Sequence, residues 1–192
     1  MTIRLLVVAL LLGMATIAFG HDWVSTFTKV LPSVVKVASD TTICTGVVVA
    51  PYTVLTAMHC LGDHLQAAGL PAVPVFGDHS QDVLLLTAAL TQPPIKLAKV
   101  DPVAGDVVAS IGYGFGLAKP IIRTTVVSAS KIGAGSPIPR ILTDAAVAPG
   151  QSGGPLVNLK GELVGLVQQT NEISALALGI EQLRVVTKGL IK

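Results

Sequence analysis

Aromatic residues are scarce in this chain, making up 4% of its 192 residues with a single Trp. Any core must therefore be filled by small and medium aliphatic side chains. No ladder of rings is available to stack nucleobases. Charge is also thin, at 12% of residues, about half the usual fraction. The formal net charge is only +2 and no basic run stands out, so no nucleic-acid partner is expected. Cysteine is limited to Cys44 and Cys60, too few for a disulfide-dense scaffold or a four-thiolate zinc site. His59 and His64 lie close by in sequence, but no four-ligand set at zinc spacing results, and no metal or cofactor is expected. With so little charge, the chain has apolar surface available for a partner or a membrane.

Long hydrophobic runs are confined to the start. Arg4 supplies a short basic opening, Leu5 to Phe19 are apolar or small, and Ala18-Phe19-Gly20 places small residues where a signal peptidase reads. Residues 1–20 read as a signal peptide cleaved after Gly20. The run is shorter than the ~20 residues a spanning helix needs. If left uncleaved it would tether the chain to a membrane. The expected destination is the periplasm or the exterior. Loss of Arg4 lowers the charge to +1, from 12 basic and 11 acidic residues. The remainder suits one ordinary domain or two small barrels sharing a cleft.

Beyond residue 30 the pattern is mostly strand. Short runs rich in Val, Ile and Leu, punctuated by Gly, Pro, Asn and Asp, predict strands at Ser33–Ala38, Cys44–Val49, Val54–Ala57, Ala72–Phe76, Val83–Thr87 and Lys96–Lys99. Further strands are predicted at Val107–Gly112, Arg123–Ser130, Arg140–Thr143, Pro155–Val157, Leu163–Gln169 and Ala175–Gly179. The fold class is all-β. His21 to Lys29 predicts a short helical arm, with Trp23 and Phe27 four apart on one docking face. Leu183, Val186 and Leu190 suggest a closing helix over Glu181 to Ile191.

Three motifs carry chemistry. Ala148-Pro149-Gly150-Gln151-Ser152-Gly153-Gly154-Pro155-Leu156 sets a serine among glycines, which allow a sharp turn where a Cβ would clash. Such a turn aims Ser152 Oγ outward and gathers the backbone N–H groups of Gly150 and Ser152 as oxyanion donors. Val54-Leu55-Thr56-Ala57-Met58-His59-Cys60 ends an apolar run on a histidine, whose ordinary pKa near neutrality suits a general base. Gln81-Asp82-Val83-Leu84-Leu85-Leu86 heads another apolar run with a carboxylate fit to orient that imidazole. Taken singly, each also fits a blander role: a turn, a buried histidine, a strand-entry aspartate. Together they stand in the order His59, Asp82, Ser152, the catalytic order of chymotrypsin.

On these residues the chain resembles the trypsin-like serine proteases of the chymotrypsin fold, and within them the HtrA-type branch. Further matching pieces are Lys29–Val37, Gly105–Gly112, Thr124–Ala129, Thr143–Leu156 and Gly161–Leu166, in family order across roughly residues 27–185. The resemblance implies two six-stranded antiparallel β-barrels, about 30–100 and about 105–180, with a short C-terminal helix and the triad between them. The chain ends at Lys192, so the PDZ domain common in HtrA proteases is not expected. Gly112-Tyr113-Gly114-Phe115-Gly116 is then a turn after an early strand of barrel two, not a nucleotide loop.

The resemblance also pairs Cys44 with Cys60 as the disulfide beside the catalytic histidine, consistent with two thiols in an exported chain. It makes Ala146 the floor of the primary specificity pocket, where trypsin has a carboxylate. Val147, Val167 and Thr170 narrow that pocket, and the strand through Gln168 pairs with an extended substrate. Cleavage after small or medium aliphatic residues is the expectation. Gln151 occupies the place where trypsin-like zymogens carry the Asp that receives a freed N-terminus, so no such insertion switch is expected. HtrA-type enzymes order this loop through loop contacts and trimers, and a homotrimer formed through the N-terminal arm is the corresponding possibility. The expected activity is that of an exported serine endopeptidase acting on protein or peptide substrates. The alternative is a catalytically silent or chaperone-like peptide-binding protein on a protease fold.

Overall fold

The computed structural model describes residues 22–133, 137–170 and 173–191. The leader read in residues 1–20 lies outside them. Six strands close the first barrel in the order β1-β2-β3-β6-β5-β4. They are β1 (Val34–Ala38), β2 (Ile43–Ala50), β3 (Thr53–Thr56), β4 (Gln66–Ala67), β5 (Leu70–Asp78) and β6 (Val83–Ala88). The second sheet contains β7 (Lys96–Leu97), β8 (Val107–Gly112), β9 (Ile121–Ile132), β10 (Arg140–Thr143), β11 (Pro155–Asn158), β12 (Glu162–Thr170) and β13 (Ala175–Gly179). Its order is β11-β8-β9-β10-β13-β12-β7, and pairing of β11 with β12 closes a six-stranded barrel to which β7 adds in parallel.

The continuous apolar runs in the sequence follow from burial on both strand faces. Side chains alternate along a strand, and in barrel one both sets are inside. Val35, Val37, Val48, Val54, Leu84 and Leu86 fill the barrel. Val34, Val47, Leu55, Val83 and Leu85 join a second cluster with Ile111, Leu156, Leu166 and Leu178 of barrel two. The seam between the barrels is thus itself hydrophobic core. Its buried members are all aliphatic, with the partly buried rings of Phe76 and Tyr113 packed against them.

Two helices bracket the barrels. Helix α1 (Trp23–Val30) starts at Asp22, whose carboxylate accepts from Ser25 N–H at 2.7 Å, an N-cap that the sequence reading passed over. Trp23 and Phe27 pack on the core as expected of a docking arm. Thr26 Oγ1 and Lys29 Nζ donate to the carbonyls of Leu159 and Lys160, fixing α1 on the β11–β12 hairpin. Helix α2 (Ile180–Val186) is shorter than expected. Lys188 and Gly189 take left-handed φ of 50° and 77°, which end it. Leu183 and Val186 are buried, while Leu190 is exposed rather than part of the apolar face.

The other differences from expectation are small. β4 was missed, since two residues carry no period. β9 extends two residues beyond its predicted bounds at each end. Leu85 is 1% exposed within the seam. Leu85→Ala is expected to lower the unfolding free energy by about 2–5 kcal/mol, measured by urea titration.

Candidate active site

His59 stands on a short 3-10 turn, Met58–Cys60, directly after β3. Asp82 precedes β6 in a turn organised by Asp78, whose carboxylate accepts from Gln81 N–H at 3.0 Å and from Ser80 Oγ at 2.7 Å. Asp82 takes a left-handed φ of 55°, a conformation that Asp tolerates better than most residues. Its carboxylate reaches His59 twice. Oδ1 accepts from the His59 backbone N–H at 2.9 Å, and Oδ2 lies 2.9 Å from Nδ1. An ionised carboxylate can only accept, so Nδ1 carries the proton and Nε2 presents its lone pair. Nε2 has no hydrogen-bond partner among the described residues. The imidazole is 45% exposed and the carboxylate 22%.

The pair raises the His59 pKa above its ordinary value. The hydrogen bond that His59 donates to Asp82 is the main cause, partial burial opposes it, and attraction to the carboxylate adds to it. Folding therefore favours the imidazolium. That contribution to stability is full below about pH 6.5, the ordinary imidazole pKa, and is lost as pH rises through the raised value.

The Asp82 turn is also held from barrel two. Gln168 is 3% exposed, and its Nε2 donates to the carbonyls of Gln81 at 2.5 Å and Asp82 at 2.9 Å. Gln182 of α2 donates to Gln81 Oε1 at 2.9 Å. Sequence reasoning placed Gln168 on the substrate strand, whereas its side chain braces the aspartate's backbone.

Ser152 comes from barrel two, in the loop entering β11, and Thr45 of β2 holds that loop across the seam. Thr45 N–H donates to Ser152 O at 2.9 Å. Its hydroxyl donates to Gly150 O at 2.7 Å and accepts from Tyr113 N–H at 2.9 Å. Its carbonyl accepts from Thr56 Oγ1 at 2.7 Å. Thr45 is fully buried. It was not foreseen, because a threonine within an apolar strand carries no local signal.

The glycines earn their place at two positions. Gly150 has φ of 95° and Gly153 φ of 76°. A Cβ would strike the Tyr113 carbonyl at Gly150, and the Thr56 hydroxyl and Thr45 carbonyl at Gly153. Gln151 turns inward at 1% exposure, and its Oε1 accepts from Ala148 N–H at 2.7 Å. The Gly112–Gly116 turn follows β8 and braces the same loop, Phe115 N–H donating to Pro149 O at 2.6 Å. Among the described residues the backbone N–H groups of Gly150 and Ser152 meet no acceptor.

Cys44 and Cys60 form a disulfide with Cα atoms 6.1 Å apart, tying β2 to the turn that carries His59. Cys60 Sγ lies 4.0 Å from Ser152 O. The sulfur bears no proton, so this is packing rather than a hydrogen bond. Cys44, His59 and Cys60 bring three potential metal-ligand atoms together, but both sulfurs are spent in the disulfide. His64 sits elsewhere, its Nδ1 2.7 Å from Asp40.

The expected pocket residues divide. The carbonyl of Ala146 accepts from Arg123 Nη1 at 2.5 Å. Thr170 Oγ1 accepts from Val147 N–H at 3.1 Å, lacing β12 to the segment before Ser152. Val147 and Val167 are buried in the barrel-two core and border a small interior void of about 10 Å³.

Thr45→Val keeps the shape but leaves the Gly150 carbonyl and Tyr113 N–H unpaired in the interior. It is expected to destabilise the fold by about 1–3 kcal/mol in urea titrations, while Thr45→Ser recovers most of the loss.

A family model described as a trypsin-like peptidase domain matches residues 44–166. The chain is similar to a probable periplasmic serine endoprotease DegP-like from Ectopseudomonas mendocina, 38% identical over 103 residues, which is 52% of this chain and 22% of that protein. The match thus spans less than a quarter of that relative's length. Among solved structures, the serine endoprotease from Yersinia pestis superposes with a TM-score of 0.77 at 26% identity, covering 88% of this chain and 66% of the other. The Rv3671c protease in its inactive form gives 0.74 at 26%, covering 85% and 91%. With both barrels, the seam and the motif residues accounted for, the chain belongs to the trypsin-like peptidase domain family.

Proposed function

We propose that the protein is an exported serine endopeptidase that hydrolyses peptide bonds through an acyl-enzyme on Ser152. The observation that carries this reading is the state of His59. Its Nδ1 is fixed on Asp82 and its Nε2 is left unpaired, while Ser152 is held by backbone bonds to the strand beside it. In the proposed reaction Nε2 takes the Ser152 proton as Oγ attacks the scissile carbonyl carbon. Asp82 stabilises the imidazolium, and the N–H groups of Gly150 and Ser152 receive the developing oxyanion. Collapse expels the amine with the proton from His59. Water then attacks the ester by the same path and restores Ser152.

Export rests on the leader read in residues 1–20 and on relatives named periplasmic. A disulfide between the only two cysteines also suits an oxidising compartment. Substrates are proteins or peptides. Cleavage after Val, Ala, Ile or Leu fits a pocket floor at Ala146 with no carboxylate and a wall at Thr170. A homotrimer formed through α1, and membrane tethering by an uncleaved leader, remain part of the proposal.

A fluorophosphonate probe is expected to add once to the wild-type protein and not to Ser152→Ala, read by intact mass. No adduct on Ser152 would favour a silent peptide-binding protein instead. The labelling rate should fall on acidification through the raised His59 pKa, with a midpoint above about 6.5. Asp82→Asn should move that midpoint down and slow turnover by about 10⁴-fold. A midpoint unmoved by Asp82→Asn would contradict the assigned pair. Among peptide esters, those with aliphatic residues before the scissile bond should turn over fastest. Faster turnover of Arg, Lys or Phe esters would overturn the pocket assignment.

A further inference from the structure

Arg140 opens β10, and its guanidinium ends beside the triad with a nitrogen left over. Nη1 is buried and has no hydrogen-bond partner among the described residues. No carboxylate lies within 4.0 Å of it there either, the described ion pairs all belonging to other residues. A half-buried guanidinium keeps its charge at any physiological pH. Leaving it unpaired is costly, because burial removes water without supplying an acceptor. Arg184, by contrast, donates to Ala98 O and Lys99 O, and the other buried side-chain atoms without a partner among the described residues belong to uncharged Ser and Gln side chains.

The guanidinium borders an open cleft of about 530 Å³ whose walls include His59, Asp82, His79, Ser80 and Gln169. Asp82 is the one carboxylate on these walls, and it is committed to His59. Asp82 and Arg140 are thus the acidic and the permanently basic group of the cleft; the carboxylate is engaged by His59, whereas the guanidinium keeps Nη1 without a partner among the described residues. The cleft also meets the end of β12. β11 pairs with β12 only from Leu163 to Leu166, and Val167 bonds to Gly153 and Gly154. Past Val167, at Gln168 and Gln169, no described strand continues on the Ser152 side. That open edge is where an extended peptide adds by backbone pairing, and it leads the chain past His59 into the Arg140 cleft.

We propose that Arg140 forms a subsite for an acidic side chain of the substrate, lying two to four residues before the scissile bond. This rests on the serine endopeptidase reading, and it assigns to that site a preference for Asp or Glu that the aliphatic primary pocket does not supply. The carboxylate pairs with the Arg140 guanidinium in a charge-assisted hydrogen bond. It gives the guanidinium an acceptor, which no described residue provides for Nη1.

The test separates binding from turnover. Fluorescent peptides with Val before the scissile bond carry Glu or its isostere Gln at the second, third or fourth preceding position. Their affinity for Ser152→Ala protein is read by anisotropy at low salt. At one of these positions the Glu peptide is expected to bind about tenfold or more tightly than its Gln counterpart, with the advantage shrinking as salt rises. Ser152→Ala with Arg140→Gln should bind both alike, while Arg140→Lys, which keeps the charge, should retain part of the preference. Equal affinities at all three positions, or a Glu preference that survives Arg140→Gln, would overturn the subsite. Fluorophosphonate labelling of the wild-type protein reports on the peptidase reading separately. A protein that labels but shows no Glu preference loses the subsite and keeps the peptidase. One that prefers Glu but does not label keeps the subsite and loses the peptidase.

Discussion

Thr45 is the constraint on which the site depends. One buried residue of barrel one bonds the backbone of Ser152, Gly150 and Tyr113, and receives the hydroxyl of Thr56. The serine belongs to barrel two and the histidine to barrel one, so their relative position is only as firm as the seam between them. The aliphatic seam supplies adhesion without direction. The hydrogen bonds of Thr45 supply direction. Gly153, with no room for a Cβ against Thr45 and Thr56, is the complementary half of the same fit. The disulfide repeats the pattern, tying the strand of Thr45 to the turn of His59 behind the Ser152 carbonyl.

A second brace runs in the opposite direction. Gln168 and Gln182, from barrel two and its closing helix, hold the Gln81–Asp82 turn of barrel one. Each barrel thus positions a residue of the proposed triad through a partner supplied by the other. Asp82 can rest in a left-handed conformation because its carbonyl, its carboxylate and the carbonyl before it are all bonded. Arg140 lies on the same cleft with Nη1 unpaired among the described residues, and the proposed acceptor is a substrate carboxylate.

Much of this was legible in the sequence because it is local. The apolar runs showed the strands, and β8, β10 and β13 fell within their predicted bounds. The serine loop and the histidine turn announce themselves because glycine and a strand-ending histidine meet demands of the backbone nearby. Thr45 and Gln168 were missed as braces because the loop and turn they hold lie far off in sequence, and Arg140 as a subsite because its cleft is walled by distant segments; nothing next to them in sequence records these contacts. Thr45 and Gly150 are 105 residues apart. Val147 and Val167 were assigned to a pocket wall on the resemblance alone. Their side chains are in the core, and only the fold reveals which strand face is turned inward.

The central proposal is that His59, fixed on Asp82, takes the Ser152 proton across the seam while the N–H groups of Gly150 and Ser152 receive the oxyanion. A crystal structure of residues 21–192 treated with an aliphatic peptidyl boronic acid tests it most directly. The account predicts boron bonded to Ser152 Oγ, one boronate oxygen about 2.7–3.1 Å from the N–H groups of Gly150 and Ser152, and His59 Nε2 within hydrogen-bonding distance of the adduct. An unmodified Ser152, or an adduct whose oxygen faces away from both N–H groups, would contradict it.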